Sequence, residues 1–120
     1  MSVIVYYLET CDTCKRIIKP FLDQSGIQWR EIKSEPISAA ELDQMKELAG
    51  SYQALFSKRA RKFRAEKLHE QELSEADYRR LILEEYTFLK RPVALVNDQI
   101  FIGNAAKNVS ALHQALEALR

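Results

Sequence analysis

Two cysteines separated by two residues are the part of this chain best suited to chemistry. Cys11 and Cys14 are its only cysteines, in the motif Cys11-Asp12-Thr13-Cys14. They follow a short hydrophobic run and precede a segment, residues 15–24, whose apolar residues have helical spacing. Backbone N–H groups are unpaired at a helix N-terminus and favour a thiolate over a thiol. Cys11 is therefore the leading candidate for a nucleophile.

The spacing of the two cysteines is also compatible with half of a zinc site or with a short structural disulfide. A structural zinc site needs four ligands, and the other candidate ligands, His69 and His113, lie far apart in the sequence. A disulfide across two intervening residues closes a loop too small to constrain the unfolded chain much. Redox or nucleophilic chemistry is the favoured interpretation, and no metal site is predicted.

Composition places the protein in a broad class. With 47% hydrophobic residues, a chain of 120 residues can build one core, so a single domain is expected over residues 1–120. Eighteen basic residues against seventeen acidic ones leave a net charge of +1, which gives no overall attraction to nucleic acid or to a membrane. The N-terminus does not resemble a secretory signal, and no apolar run reaches membrane-spanning length. We therefore expect a cytoplasmic protein.

The first third of the chain predicts a strand, a helix and a strand. Residues 3–8 are continuously apolar and β-branched or aromatic, which is typical of a buried strand. The helix that follows should bury Ile17, Ile18, Phe21 and Leu22, end near residues 25–26, and be kinked or interrupted at Pro20. Residues 27–32 alternate apolar and polar, as in a second strand. This order implies a right-handed parallel β-α-β unit.

Residues 38 to about 88 are predicted to be a mostly helical insertion. Ser38 and Glu41 have the spacing of a capping box, and Leu42, Met45 and Leu48 follow on one helical face. Residues 74–77 offer a similar helix start. Residues 58–64 contain five cations in seven positions. That run is a solvated charged face, an anion-binding wall or a docking surface.

The last third predicts an antiparallel hairpin and a closing helix. Residues 93–96 and 99–102 are apolar and flank Asn97-Asp98, which suits a tight turn. The closing helix follows, with Asn108 as its predicted N-cap. The predicted fold class is therefore α/β, with a four-stranded mixed sheet and a helical insertion between a β-α-β half and a β-β-α half.

This order, the cysteine motif and the Arg-Pro pair before the third strand resemble the thioredoxin fold. More specifically, the chain resembles the ArsC/Spx family of arsenate reductase-like proteins, which carry a helical insertion between the two halves. The matching stretches are residues 11–16, 34–38, 57–63, 90–93 and 102–103.

The resemblance implies roles for particular residues. Cys11 would be the nucleophile, and Arg91 would project toward the cysteines and stabilise a thiolate or an oxyanion. The bond between Arg91 and Pro92 would be cis. Arg59 would be a second cation at the site, and Thr13 and Pro92 would complete the substrate contacts.

Two departures from the glutaredoxin-linked arsenate reductases of the family affect the expected chemistry. Those enzymes carry a third arginine just after the fourth strand, where this chain has Ile102-Gly103-Asn104. They also work with a single essential cysteine in this loop, whereas Cys14 here can attack a mixed disulfide on Cys11 and release its partner. Both differences shift the expectation from arsenate toward disulfide chemistry.

The resemblance implies a thiol-dependent oxidoreductase. Cys11 would attack an oxyanion such as arsenate, a thiol adduct or a disulfide, and Cys14, glutathione or glutaredoxin would resolve the intermediate. No bound cofactor is expected, and glutathione with glutaredoxin, or thioredoxin, would supply electrons. The alternative is an Spx-like regulator that binds RNA polymerase and uses the cysteine pair as an oxidation switch. Residues 34–36 favour that alternative, whereas residues 50–52 do not match its polymerase-binding surface cleanly.

Overall fold

The computed structural model describes residues 2–120, and these residues form two compact units. The first unit comprises the residues up to 35 together with residues 91–120, and the second comprises residues 36–90. The second unit coincides closely with the predicted insertion. The single domain expected over the whole chain stays a prediction.

The first unit contains a mixed sheet of four strands. The strands run in the order β2-β1-β3-β4; β1 pairs with β2 in parallel and with β3 antiparallel, and β3 and β4 form an antiparallel pair. Its elements are β1 (Val3–Tyr7), α1 (Asp12–Ile18), a 3₁₀ helix (Lys19–Phe21), β2 (Ile27–Glu31), β3 (Val93–Val96), β4 (Gln99–Ile102) and α5 (Ala106–Glu117). The predicted thioredoxin-like fold class is confirmed.

The core of the first unit lies between one face of the sheet and the helices α1 and α5. Val3 and Val5 of β1 are buried on that face opposite Val96 and Ala94 of β3, as the register of the two strands requires. Side chains from both helices complete the cluster: Ile17, Ile18, Leu112 and Leu116, with Phe21 from the 3₁₀ helix. Burial of these apolar side chains stabilises the sheet, and its strand β1 leads into the cysteine motif.

The first helix is shorter than its apolar pattern predicts. α1 ends at Ile18, and a 3₁₀ helix containing Pro20 follows. Proline has no N–H group and its ring clashes with the preceding turn, so the predicted interruption at Pro20 is confirmed. The expected burial of Leu22 is wrong, because its side chain is 54% exposed. The helical spacing that would have turned it inward is lost beyond Pro20.

The predicted N-cap of the closing helix is also wrong. α5 begins at Ala106 and its N-cap is Ala105. The side chain of Asn108 instead accepts a hydrogen bond from the Ile102 N–H (3.1 Å) and donates one to the Gly103 carbonyl (2.8 Å). An asparagine amide both donates and accepts, so it can hold the chain between β4 and α5 rather than cap the helix.

The second unit is helical, as predicted. Its elements are α2 (Ala39–Ala49), α3 (Arg61–Ala65) and α4 (Glu75–Glu84), with 3₁₀ helices at Gln53–Leu55, Leu68–Glu70 and Tyr86–Phe88. Capping boxes start α2 and α4, formed by Ser38 with Glu41 and by Ser74 with Asp77. The local sequence signals were therefore correct for both helix starts.

An aromatic cluster forms much of the core of the second unit. The ring of Phe56 lies 5.0 Å from that of Phe88, 4.9 Å from that of Tyr78 and 5.8 Å from that of Phe63, measured between ring centroids. Leu42 and Met45 of α2 are fully buried, but Leu48 is 39% exposed. The predicted apolar face of α2 is thus correct for its first two members and wrong for Leu48.

Within residues 2–120, no helix combines the length and the apolar character that a membrane span requires.

Candidate active site

The chain makes a tight turn between β1 and the first helix, over residues 8–11, which we call the cysteine turn. The N–H of Cys11 donates to the carbonyl of Leu8 at 3.1 Å, which closes the turn. Cys11 itself is extended, with φ −100° and ψ 105°, and its carbonyl accepts from the N–H of Lys15 at 3.0 Å. Cys11 is therefore the N-cap residue of α1, and the predicted place of the cysteine pair at a helix start is confirmed.

The two thiols occupy different environments. Cys11 is half-buried, whereas Cys14 is fully buried, and neither is joined in a disulfide. The difference follows from the helix, because Cys14 shares the inward face of α1 with Ile17 and Ile18. Of the two thiols, Cys11 is therefore the one that is accessible from solvent.

Burial raises the pKa of the Cys14 thiol to about 11. The negative charge of a Cys11 thiolate raises this pKa further, while a hydrogen bond with the Leu8 backbone and the positive charge of Arg91 lower it. Burial is the largest of these effects, so Cys14 is protonated at neutral pH. Cys14 must therefore lose its proton before it can act as a nucleophile.

Arg91 and Pro92 lie at the entry to β3. The peptide bond between them is cis, as the resemblance implied, and Pro92 is buried. Arg91 is half-buried, and its charge acts on the Cys14 thiol. The structure therefore brings together Cys11, Cys14 and Arg91 within the first unit.

The stretch that replaces the third arginine of the related reductases follows β4. The N–H of Gly103 donates to the carbonyl of Pro92 at 2.8 Å, and Gly103 adopts a left-handed backbone with φ +84°. Asn104, the next residue, is exposed and carries no charge. The Gly103 N–H thus holds the loop that contains the cis proline. Neither Gly103 nor Asn104 adds a positive charge there.

Thr13 and Arg59, two other predicted site residues, are both exposed. Thr13 is exposed on the first turn of α1, two residues after Cys11. Arg59 belongs to the second unit, where it is exposed in the turn before α3. Their contact with a substrate stays a prediction. In the basic run of residues 58–64, Lys62 pairs with Glu85 at 3.2 Å.

The sequence pattern gave no sign of Glu31, the last residue of β2. One carboxylate oxygen accepts from the N–H of Glu9 at 2.9 Å. The other accepts from the N–H groups of Lys33 (2.9 Å) and Ser34 (2.7 Å) and from the Ser34 hydroxyl (2.9 Å). Glu9 lies in the cysteine turn, so Glu31 contacts this turn although it is 20 positions from Cys11 along the chain. An acidic residue that ends a strand is too common a feature to have identified it.

The residues weighed as zinc ligands have other contacts. His113 Nε2 lies 2.8 Å from the Ile17 carbonyl, and His69 lies beside Glu70. Within residues 2–120, no three side chains of His, Cys, Asp or Glu are arranged to hold a metal ion.

Comparison with known proteins agrees with the geometry. The model of the ArsC family matches residues 6–112. An arsenate reductase from Vibrio cholerae is 18% identical, with a TM-score of 0.75 over 94% of this chain and 97% of that one. A protein from Brucella melitensis related to arsenate reductase is 24% identical, with a TM-score of 0.69 over 95% and 96%. These two structures share the fold, and none of the curated proteins matches the sequence. Because the family match extends over most of its length, the chain belongs to the ArsC family.

Proposed function

We propose that this protein is a thiol-dependent oxidoreductase in which Cys11 is the nucleophile. The observation that carries the proposal is the asymmetry of the cysteine pair. Cys11 is accessible at the start of a helix, and Cys14 is buried with its pKa raised to about 11. Membership of the ArsC family supports the same class of chemistry.

With arsenate as substrate, the Cys11 thiolate attacks arsenic and displaces one hydroxyl group, which leaves as water after gaining a proton. A second thiol then attacks the Cys11 sulfur. The sulfur–arsenic bond breaks, its electron pair stays on arsenic, and arsenite leaves. Arsenic gains two electrons, and two thiols become one disulfide.

With a disulfide as substrate, Cys11 attacks one sulfur and the other leaves as a thiolate. The resulting mixed disulfide on Cys11 is resolved when a second thiolate attacks Cys11 and releases the remaining half of the substrate. Cys14, glutathione or glutaredoxin is the second thiol in either reaction. Glutathione with glutaredoxin, or thioredoxin, returns the cysteines to the reduced state, so no bound cofactor is needed.

Arg91 stabilises negative charge in this proposal. It lies close enough to Cys14 for its positive charge to offset part of the rise in the pKa of that thiol. A guanidinium group can donate two parallel hydrogen bonds to an oxyanion, which a lysine cannot. Arg91 would hold arsenate oxygens or a departing thiolate near Cys11. Arg59 as a further anion contact stays a prediction from the family resemblance.

The test is NADPH consumption with arsenate, run once with glutathione, glutaredoxin and glutathione reductase and once with thioredoxin and its reductase. A small disulfide replaces arsenate in a parallel series. Turnover that requires Cys11 in either series supports the proposal, and the series that works identifies the electron donor. No turnover in any series, together with co-purification of RNA polymerase, would favour the Spx-like regulator instead.

Internal resolution by Cys14 is tested separately by mild oxidation. If Cys14 resolves, mass spectrometry shows a loss of about two hydrogens as the two thiols join. If only adducts with the external thiol form, glutathione or glutaredoxin is the resolving thiol and Cys14 is not.

A further inference from the structure

We propose that Glu31 is a positioning residue that orients the cysteine turn and thereby sets the reactivity of Cys11. The inference rests on the proposed function, because it concerns the nucleophile of that reaction. Glu31 does not touch Cys11. It acts through the peptide group that joins Leu8 to Glu9.

That peptide group is held from both sides. Its N–H, which belongs to Glu9, donates to Glu31 Oε2 at 2.9 Å. Its carbonyl, which belongs to Leu8, accepts from the N–H of Cys11 at 3.1 Å. A peptide group is planar, with its N–H and C=O on opposite sides. The bond to Glu31 therefore fixes the direction of the carbonyl that closes the turn onto Cys11.

The carboxylate itself is held firmly. Its other oxygen accepts from two N–H groups and one hydroxyl in the loop after β2, supplied by Lys33 and Ser34. The strands add to the alignment, because Tyr7 and Glu31 are register partners and the Ile32 N–H donates to the Tyr7 carbonyl at 2.9 Å. One side chain thus joins the ends of β1 and β2 at the point where the sheet ladder stops.

An ionised carboxylate suits this position because all four groups that face it are donors. An amide would turn an NH₂ group toward one of them and leave an unfavourable donor–donor contact. Burial by itself raises the pKa of Glu31, but the hydrogen bonds from Glu9, Ser34 and Lys33 outweigh it and lower the pKa. Glu31 is accordingly ionised at neutral pH.

The charge of Glu31 and its hydrogen bond affect Cys11 in opposite directions. A negative charge near the turn disfavours a thiolate, so loss of the charge alone would make Cys11 react faster. Loss of the bond would free the Leu8–Glu9 peptide group and loosen the turn that orients Cys11 at the start of α1. Cys11 would then react more slowly. The sign of the change therefore separates positioning from simple electrostatics.

The test is the rate at which iodoacetamide, an uncharged reagent, alkylates Cys11 in the folded protein, divided by the rate in urea. Peptide mass spectrometry distinguishes Cys11 from Cys14. We expect Glu31→Gln to lower this ratio about fivefold, as for the loss of one hydrogen bond. Glu31→Asp, which keeps the carboxylate on a shorter stem, should lower it less. An unchanged or higher ratio in Glu31→Gln would overturn the proposal.

Glu9→Gln is the matched control. It removes one negative charge from the same turn but keeps the Glu9 N–H that donates to Glu31. Its side chain is exposed and pairs with Lys15 at 3.4 Å. We expect a ratio equal to that of the unmodified protein or higher. A decrease as large as that of Glu31→Gln, in a variant that keeps the hydrogen bond to Glu31, would show that the loss of reactivity does not depend on that bond, and would overturn the proposal.

A second measurement needs no variant and so does not depend on whether Glu31→Gln folds. In NMR spectra recorded as the pH is lowered, the amide resonances of Glu9, Lys33 and Ser34 should shift together as Glu31 gains its proton. A Glu9 amide that does not follow the other two would overturn the proposal. An unreactive Cys11 in the unmodified protein would refute the proposed function instead, so the two failures are distinguishable.

Discussion

Each unit of the protein contains a carboxylate that joins separate segments, but the partners of the two carboxylates differ. In the first unit, Glu31 accepts hydrogen bonds from three backbone N–H groups and a hydroxyl. In the second unit, Asp43 of α2 accepts from the guanidinium of Arg79 on α4, at 2.8 Å and 3.1 Å, and from the Tyr52 hydroxyl. One carboxylate has neutral partners and the other has a cation.

The difference indicates what each contact contributes. The bidentate pair of Asp43 and Arg79 cross-links two helices, and it lowers the pKa of Asp43 to about 2. Because its two partners lie on different helices, this ionic contact stabilises the packing of α2 against α4. Glu31 instead holds the turn that carries Cys11, the nucleophile of the proposed reaction, through a backbone N–H group. The following predictions test this division between stabilising and positioning contacts.

The largest effect is expected at the nucleophile. Cys11→Ser should lower turnover by about a thousandfold or more, because a hydroxyl at this site is a far weaker nucleophile than a thiolate. Cys14→Ser is the matched control. It should lower turnover less when glutathione is present, since an external thiol can resolve the intermediate. Equal losses in the NADPH-coupled assay would show that both thiols are required in every cycle.

In the second unit, the large effect should be on stability. Leu42→Ala removes a fully buried side chain of α2 and should lower the free energy of unfolding by about 3 kcal/mol. Leu48→Ala makes the same change in the same helix at a 39% exposed position and should cost about 1 kcal/mol or less. Urea unfolding measures both. Similar losses of stability would show that Leu48 contributes to the core as much as Leu42 does, as the sequence predicted.

Arg91→Ala should lower turnover of an oxyanion about tenfold to a hundredfold, through the loss of a charge-assisted hydrogen-bonding group. Arg91→Lys should be less damaging, because the ammonium keeps the charge but loses the paired donors. Arg16→Ala, at an exposed position on α1, is the control and should have little effect. Equal losses in both Arg91 variants would mean that the two-pronged geometry is decisive, and full activity in Arg91→Ala would remove Arg91 from the site.

The smallest effect concerns acid stability. The pKa of Asp43 is lower in the folded protein, at about 2, than the value of about 3.9 expected for an unfolded chain. Its contribution is therefore complete above pH 4 or so and is lost as the pH falls toward 2. Asp43→Asn should lower the thermal midpoint at pH 7. The gap in thermal midpoint between this variant and the unmodified protein should close as the pH falls from about 4 toward 2. Asp98→Asn, at an exposed hairpin position, is the control. A gap that persists at about pH 2 would contradict the ionic role of Asp43.

Local signals in the sequence predicted most of the fold. The hairpin around Asn97-Asp98 and the capping boxes at Ser38 and Ser74 depend on residues two or three positions apart, and all are confirmed. The start of α1 at the cysteine motif likewise depends on residues that are close together in the sequence. The cis bond before Pro92 came only from the family resemblance, because a cis peptide has no reliable local signature.

The errors and the omission depend on backbone geometry and on side-chain contacts that hydrophobic spacing does not describe. The side chain of Leu22 follows the backbone beyond Pro20, and Leu48 is exposed in the last turn of α2. Asn108 bonds to the end of β4 instead of capping α5. Glu31 reaches a turn 22 residues earlier through one backbone N–H. Hydrophobic periodicity carries no information about which polar side chain meets which peptide group, so the site was only partly predictable.

In the proposed function, Cys11 is the attacking thiol and Cys14 is a buried thiol that is protonated at neutral pH. Alkylation of both cysteines in one sample, from pH 6 to pH 11, measures this difference directly. We predict that Cys11 is labelled at neutral pH, while Cys14 is labelled in the folded protein only as the pH approaches about 11. Labelling of Cys14 at neutral pH as fast as that of Cys11 would contradict it.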